Sequence, residues 1–268
     1  MIPPGAVRLI LLDIEGTLSP LAYVHEVMFP FARAEMRPFL EQNLSRPDVA
    51  AALDQIAVDA GSANFEAWRP QTASPSDAIP WIVAHAHALM DRDVKATGLK
   101  QLQGLIWEGG FHSGVLRSAV FPDVAPALRE WKNAGVQLRI YSSGSKHAQQ
   151  LFFAHTEAGD LTSLLSGYYD TTTGPKKIPA SYTAIANDAG FPQAAILFLS
   201  DVVEELDAAG AAGLQTALIV RPGNVAPPSG LQTLPSLVGG RQDACTTEEG
   251  STGQFAHPHF TSFQQITL

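Results

Sequence analysis

Short, mostly apolar runs occur at four places in the chain: Val7–Leu12, Val136–Tyr141, Ala195–Leu199 and Thr216–Val220. Runs of this length, rich in Leu, Ile and Val, predict strands buried on both faces, as in a parallel sheet. A helical pattern precedes each of the last three. Phe121–Ala134 stops at Gly135, Pro179–Ala189 opens on a Pro and is followed by Gly190, and Val203–Ala212 stops at Gly213. Pro in the first turn and Gly just past the end are helix punctuation. Strand and helix in alternation predict an α/β fold, a Rossmann-like parallel sheet with crossover helices. Gly167–Asp170 could add a short strand, and His257–Phe263 a last edge segment.

The stretch from Ser19 to Asp123 breaks this alternation. It holds helical patterns at Phe31–Gln42, Arg46–Gly61, Ser76–Asp91 and Thr97–Gly109, and no strong strand signal. We read residues 19–123 as an α-helical cap domain inserted after the first strand, and residues 1–18 with 124–268 as the core. Such an insert can act as a lid over the strand ends. The bland alternative is a helical domain that does no more than pack. Residues 239–253 are rich in Gly, Thr, Ser, Gln and acids and read as a flexible loop.

Each core strand ends in polar groups. The first ends at Asp13, followed by Glu15, Gly16 and Thr17. The second ends in Ser142-Ser143-Gly144-Ser145, and the third in Ser200-Asp201, followed by Glu204 and Glu205. Gly174-Pro175-Lys176-Lys177 lies between them, just before the Pro179 helix. Parallel strands bring their carboxyl ends to one rim, where α/β sheets bind ligands. One acid of the Asp13–Glu15 pair can attack an electrophile and the other can move a proton. Carboxylate oxygens suit Mg²⁺, a hard cation. Ser142, the backbone N–H groups after it and Lys176 can hold phosphoryl oxygens. The set suits phosphoryl transfer through an acyl-phosphate. For the Asp13 stretch alone, a solvated acidic turn would explain the residues equally well.

Other candidates have ordinary explanations. Lys177 and Glu204 read as solvated charges, and Ser145 as a helix N-cap. His85 and His87 are two apart on a predicted helix and do not share a face. His257 and His259 flank a Pro, a weak metal signal. Trp81, Trp107 and Trp131 read as core. Trp107 and Phe111 are the best-placed candidates for touching an apolar substrate tail from the lid.

Composition narrows the classes. The 268 residues carry a net charge of −9, which argues against nucleic acid or an anionic membrane as partner. The one cysteine, Cys245, allows neither an internal disulfide nor a cysteine metal cluster and fits a reducing compartment. No apolar run approaches a membrane span, and Met-Ile-Pro-Pro-Gly lacks the charged start of a signal peptide. We expect a cytoplasmic monomer acting on a small-molecule phosphate ester, with a nuclear pool left open.

The ordered set D-x-E-G-T, S-S-G-S, G-P-K and L-S-D-x-x-x-E resembles the haloacid-dehalogenase-like phosphohydrolases. Closer still, D-I-E-G-T, the block Leu99–Gly110, and those at Phe121–Leu128, Ile140–Ser145 and Leu197–Asp201 resemble the enolase-phosphatases of methionine salvage, the acireductone synthases. The resemblance covers roughly residues 7–222. It implies Asp13 as nucleophile and metal ligand, and Glu15 as a metal-site residue through its backbone carbonyl and as general acid/base. It implies Asp201 as the later metal carboxylate, Ser142 and Ser143 as a substrate-binding pair, and Lys176 as the phosphate-binding lysine. Glu205 could support the metal through water. The cofactor implied is one Mg²⁺ per subunit. The reaction implied converts 2,3-diketo-5-methylthiopentyl-1-phosphate to the acireductone 1,2-dihydroxy-3-keto-5-methylthiopentene plus phosphate. The enolisation base is left open between Glu15 and a lid group. The alternative is a Mg²⁺-dependent phosphatase for another small ester. A catalytically dead binding protein is disfavoured by the intact Asp13, Glu15, Lys176 and Asp201, and a dehalogenase because a carbon electrophile needs no Mg²⁺ carboxylate set.

Overall fold

The computed structural model describes residues 7–70, 74–94, 96–224 and 257–267. The backbone divides into two compact units, Met1–Tyr23 with Ser118–Leu268, and Val24–Arg117. These divisions lie a few residues inside the boundaries read from sequence at 18 and 123. Residues 239–253 fall outside the described residues.

In the first unit, β1 is Leu9–Leu12, followed by a short α1 at Leu21–Tyr23. The second unit is helical. It starts with a π-helical turn at Val24–Met28 and continues through α2 (Phe29–Asn43), α3 (Pro47–Asp59), α4 (Phe65–Trp68), α5 (Ile79–Asp91) and α6 (Thr97–His112). The first unit resumes with α7 (Val124–Asn133), β2 (Gln137–Tyr141), α8 (Lys146–Ala154), β3 (Gly167–Tyr169), α9 (Pro179–Ala189), β4 (Ile196–Ser200), α10 (Val203–Ala211), β5 (Gln215–Ile219) and β6 (His259–Phe260). Among the described residues the six strands are all parallel, in the order β3-β2-β1-β4-β5-β6.

β1 is central and wholly buried, which is why its four residues are all Leu or Ile. Leu12 lies opposite Ile140 of β2 and Leu199 of β4. Asp13, the next residue, therefore emerges between the ends of two neighbouring strands, and its N–H donates to Leu199 O at 3.0 Å. One sheet face carries Leu9, Leu11, Tyr141, Ile196 and Phe198, covered by Tyr182 and Ile185 of α9 and Leu206 of α10. α7 packs against β2.

The helical unit has its own core. Met36, Leu40, Leu53, Ile56, Ile82, Ala86, Leu102 and Ile106 meet at helical spacing from four helices. Gly98 lets α6 approach α3, since a Cβ there would sit 2.3 Å from Ile56 N. Its N–H donates to Asp59 Oδ2 at 2.7 Å.

Two helices start later than their apolar patterns suggest, because polar residues before them are used in turns. Ser74 Oγ and Asp77 Oδ2 are 2.6 Å apart, and this turn delays α5 to Ile79. Phe121 N–H donates to Leu18 O, and the Asp123 carboxylate faces Arg221, so α7 starts at Val124.

That Asp123–Arg221 pair fastens the first unit. Arg221 Nη1 donates to Asp123 Oδ1 and Oδ2 at 3.0 and 2.8 Å, and Nε donates to Thr17 O at 3.1 Å. The guanidinium lies 4.5 Å from the Phe121 ring centroid and 4.6 Å from that of Phe263. Phe263 N–H and Ser262 Oγ also donate to Asp123 Oδ2. Burial works against the Asp123 charge, but Arg221 and these donors outweigh it and hold the carboxyl below its usual range. The stability this gives is complete above the unfolded value of about 3.9 and is lost as pH falls through the lower folded value. Arg221→Met leaves Asp123 half-buried without its cation and is expected to cost about 3–5 kcal/mol at pH 7. Urea unfolding checks this, and a loss below about 1 kcal/mol would mean the pair is no anchor.

Candidate active site

Asp13 is 5% exposed. Its Oδ1 accepts from Ile14 N at 2.8 Å and lies 2.7 Å from Lys176 Nζ. The same ammonium sits 2.6 Å from Glu205 Oε2. The Ser200 hydroxyl lies between the two carboxylates, 3.4 Å from Asp13 Oδ2 and 3.1 Å from Glu205 Oε2, and accepts from Val202 N. Residues from the ends of β1 and β4, from the first turn of α10 and from the loop before α9 thus meet at one place.

Three hydroxyls hold the Lys176 loop. Tyr141 Oη donates to Gly174 O at 2.8 Å, Ser181 Oγ to Pro175 O at 2.8 Å, and Tyr182 Oη to Lys176 O at 2.6 Å. Three successive carbonyls are satisfied by side chains of β2 and α9, so the loop is fixed although it has no regular structure. Gly174 is required there: its φ is +149°, and a Cβ would sit 2.2 Å from Ser181 Oγ.

Asp201 borders the same cluster from the end of β4. Its carboxylate packs on Gly16, where a Cβ would meet Oδ2 at 2.1 Å. Oδ2 accepts from Asn224 Nδ2 at 3.1 Å. Oδ1 is buried with no hydrogen-bond partner among the described residues. Burial, and then the charge of Asp13, push the Asp201 carboxyl up to about 7. The same two causes raise Glu205. Burial alone would lower Lys176, but Asp13 and Glu205 outweigh it and hold the ammonium at about 12.

Asp13, Asp201 and Glu205 are three carboxylates facing one ammonium. If all ionise, two positive charges are wanting. Among the described residues, no three His, Cys, Asp or Glu side chains form a metal cage by themselves. The donors available are all oxygens, however, and the orphaned Asp201 Oδ1 with its raised pKa marks where positive charge is wanting. This set fits a hard divalent cation held partly by backbone oxygen and water.

Ser142 and Ser143 follow β2 and differ sharply. Ser142 is buried, its N–H donating to Tyr169 O and its Oγ accepting from Gly144 N at 3.4 Å. Ser143 is exposed. Gln149 Nε2 secures this loop through Gly144 O and Tyr169 O. Ser145 Oγ accepts from Ala148 N at 3.2 Å, the N-cap of α8. The part-buried Glu15 lies in the turn after Asp13, where Gly16 has φ +73°.

Comparison with known proteins follows from these motifs. A family model described as haloacid dehalogenase-like hydrolase matches residues 7–213. Enolase-phosphatase E1 of Pseudomonas syringae pv. tomato is 47% identical over 219 residues, 82% of this chain and 91% of the relative. Enolase-phosphatase E1 of Gluconacetobacter diazotrophicus is 43% identical over 253 residues, 94% of this chain and 96% of the relative. The chain belongs to the haloacid dehalogenase-like hydrolases, in the enolase-phosphatase E1 family. The crystal structure of the UTR4 protein (Unknown transcript 4 protein) of Saccharomyces cerevisiae is similar to the whole fold. The TM-score is 0.72 at 31% identity, covering 97% of this chain and 100% of that one.

For this enolase-phosphatase family member, the residues singled out from sequence fall in two groups. Asp13 and Lys176 are in direct contact, Asp201 adds its charge to Asp13, and Glu205 bonds Lys176. Trp107 and Phe111 sit differently in the helical unit. Trp107 Nε1 donates to Met28 O at 2.8 Å, and Phe111 is 1% exposed. Phe111 is thus closed off within the helical unit, whereas Trp107 stays partly exposed. His257 is structural, bonded through Nε2 to Asp207 and through Nδ1 to Thr216. Lys177 and Glu204 are exposed, 3.9 Å apart. Asn224, Gln149 and the Tyr141–Ser181–Tyr182 clamp were not singled out from sequence. The Arg221-Pro222-Gly223-Asn224 turn carries a readable signal, Pro-Gly, but its target does not.

Proposed function

We propose that the chain is an acireductone synthase. It would enolise 2,3-diketo-5-methylthiopentyl-1-phosphate and then hydrolyse the phosphate ester. The observation that carries this reading is the Asp13 carboxylate, buried at a strand end and held 2.7 Å from the Lys176 ammonium, in a chain that matches enolase-phosphatases over most of its length.

In the first step a base removes the proton α to a carbonyl. Glu15, part-buried beside Asp13, is the group of the core loop suited to it. In the second step an Asp13 carboxylate oxygen attacks phosphorus, and the ester oxygen leaves with a proton from Glu15. Water, deprotonated by Glu15, then attacks the aspartyl phosphate and frees phosphate and Asp13. Ser142, Ser143 and Lys176 hold the phosphoryl oxygens; the Lys176 charge grows in value as charge moves onto them. When bound, Mg²⁺ supplies the two positive charges the carboxylates lack, and Asp13, the Glu15 carbonyl and Asp201 would hold it. One ion per subunit satisfies that deficit.

We read residues 24–117 as the cap that sets substrate preference, on the strength of their separate helical core. No helix among the described residues is long and apolar enough to cross a membrane. We assign the enzyme to the cytoplasm as a monomer; the Pseudomonas and Gluconacetobacter relatives are bacterial and lend no support to a nuclear pool.

Phosphate release should therefore stop in EDTA and return on adding Mg²⁺. Asp201→Ala should raise the Mg²⁺ needed by about tenfold to a hundredfold or remove activity. Full activity in chelator would refute the metal assignment.

A further inference from the structure

The turn after β5 reaches back to the catalytic loop. Pro222 and Gly223 occupy its two central positions, Gly223 has φ +87°, and Asn224 N–H donates to Arg221 O at 3.1 Å. That is a type II turn, which needs a positive φ at its third residue. The turn is fastened to the catalytic loop twice, by Arg221 to Thr17 O at 3.1 Å and by Asn224 Nδ2 to Gly16 O at 2.8 Å.

The same Asn224 Nδ2 donates to Asp201 Oδ2 at 3.1 Å. Both its partners are acceptors, so the amide can face only one way. The Asp201 carboxylate also packs directly on Gly16, where a Cβ would meet Oδ2 at 2.1 Å. With Oδ2 so held, Oδ1 is the carboxylate atom left without a partner among the described residues. Asn224 Oδ1 is also buried and without a partner there, so the amide is not placed to satisfy itself.

We propose that Asn224 is a positioning residue that fixes the Asp201 carboxylate against Gly16 and presents its Oδ1 to the cation. This rests on the metal reading above. Outer groups that hydrogen-bond a ligating carboxylate set its orientation and typically govern metal affinity by tenfold to a hundredfold.

The test is binding of Mn²⁺ to the full-length protein without substrate, followed by electron paramagnetic resonance. Asn224→Leu should weaken binding about tenfold or more, while Asn224→Ser, which keeps a short donor, should recover part of the loss. Thermal melts separate orientation from packing. Loss of packing alone lowers the midpoint equally with and without Mg²⁺, whereas loss of orientation shrinks the rise that Mg²⁺ gives. If Asn224→Leu does not fold, Asn224→Ser is read against wild type in the same way, and an intermediate affinity is expected. An Mn²⁺ affinity unchanged within twofold in either folded variant overturns the proposal. Asp201→Asn is the control. If it too binds Mn²⁺ as wild type does, the metal assignment has failed, whatever Asn224 does.

Discussion

Asp13→Asn is expected to give a folded protein that releases no phosphate. The amide is nearly the size of the carboxylate and can still accept a hydrogen bond from Ile14 N. What it lacks is an anionic oxygen to attack phosphorus. Loss of a nucleophile typically lowers turnover by about 10⁴-fold or more. The fold should survive for a further reason. Asp13 shares Lys176 with Glu205, so the ammonium keeps one carboxylate partner. Phosphate release and circular dichroism on the same sample check both halves. A folded Asp13→Asn protein with near-normal turnover would remove Asp13 from the mechanism.

Lys176→Met should damage both activity and stability, in a pH-dependent way. Removing one partner of a buried, paired charge typically costs about 3–5 kcal/mol. Here it leaves Asp13, Glu205 and Asp201 without their ammonium. Activity should fall about 10²- to 10³-fold, as for loss of a group that stabilises transition-state charge. In wild type, the raised Lys176 contributes stability that is complete below its unfolded value of about 10.4 and lost as pH rises through about 12. Asp201 works in the opposite sense to a salt-bridged acid. Its folded pKa of about 7 exceeds the unfolded value of about 3.9, so the folded state binds the extra proton. Its contribution to the metal-free protein is complete below about 3.9 and is lost as pH rises through about 7. Lys176→Met steepens that loss, and Mg²⁺ should offset it. Urea midpoints at pH 5 and pH 8, with and without Mg²⁺, read this directly. Equal stability of the variant at the two pH values would contradict the charge account.

Much of this site is local in sequence. Asp13 and Ser142 each follow an apolar run by one residue and Asp201 follows one by two, so a parallel sheet in register must bring them to one edge. Gly174, Pro175 and Lys176 are announced by glycine and proline. What was hidden joins residues far apart in the chain. Asn224 reaches Gly16 across 208 positions, and Arg221 reaches Asp123 across 98. No periodicity or spacing connects them; only strand order brings β5 beside β4 and the turn after it over the first loop. Tyr141 ends an apolar run and Tyr182 lies within a helical pattern; both are buried, yet their hydroxyls hold the lysine loop. Burial and function are not alternatives for an aromatic with a polar tip. Phe111 shows the converse. Its place near the end of α6 suggested an open contact, yet it is buried.

The most direct measurement supplies the purified protein with 2,3-diketo-5-methylthiopentyl-1-phosphate and follows enol absorbance and free phosphate together, with and without Mg²⁺. The account predicts that, with Mg²⁺, enol absorbance and phosphate both rise, and that Asp13→Asn forms no phosphate. Release of phosphate from simple esters with no turnover of the diketo phosphate, or full phosphate release in chelator, would contradict it.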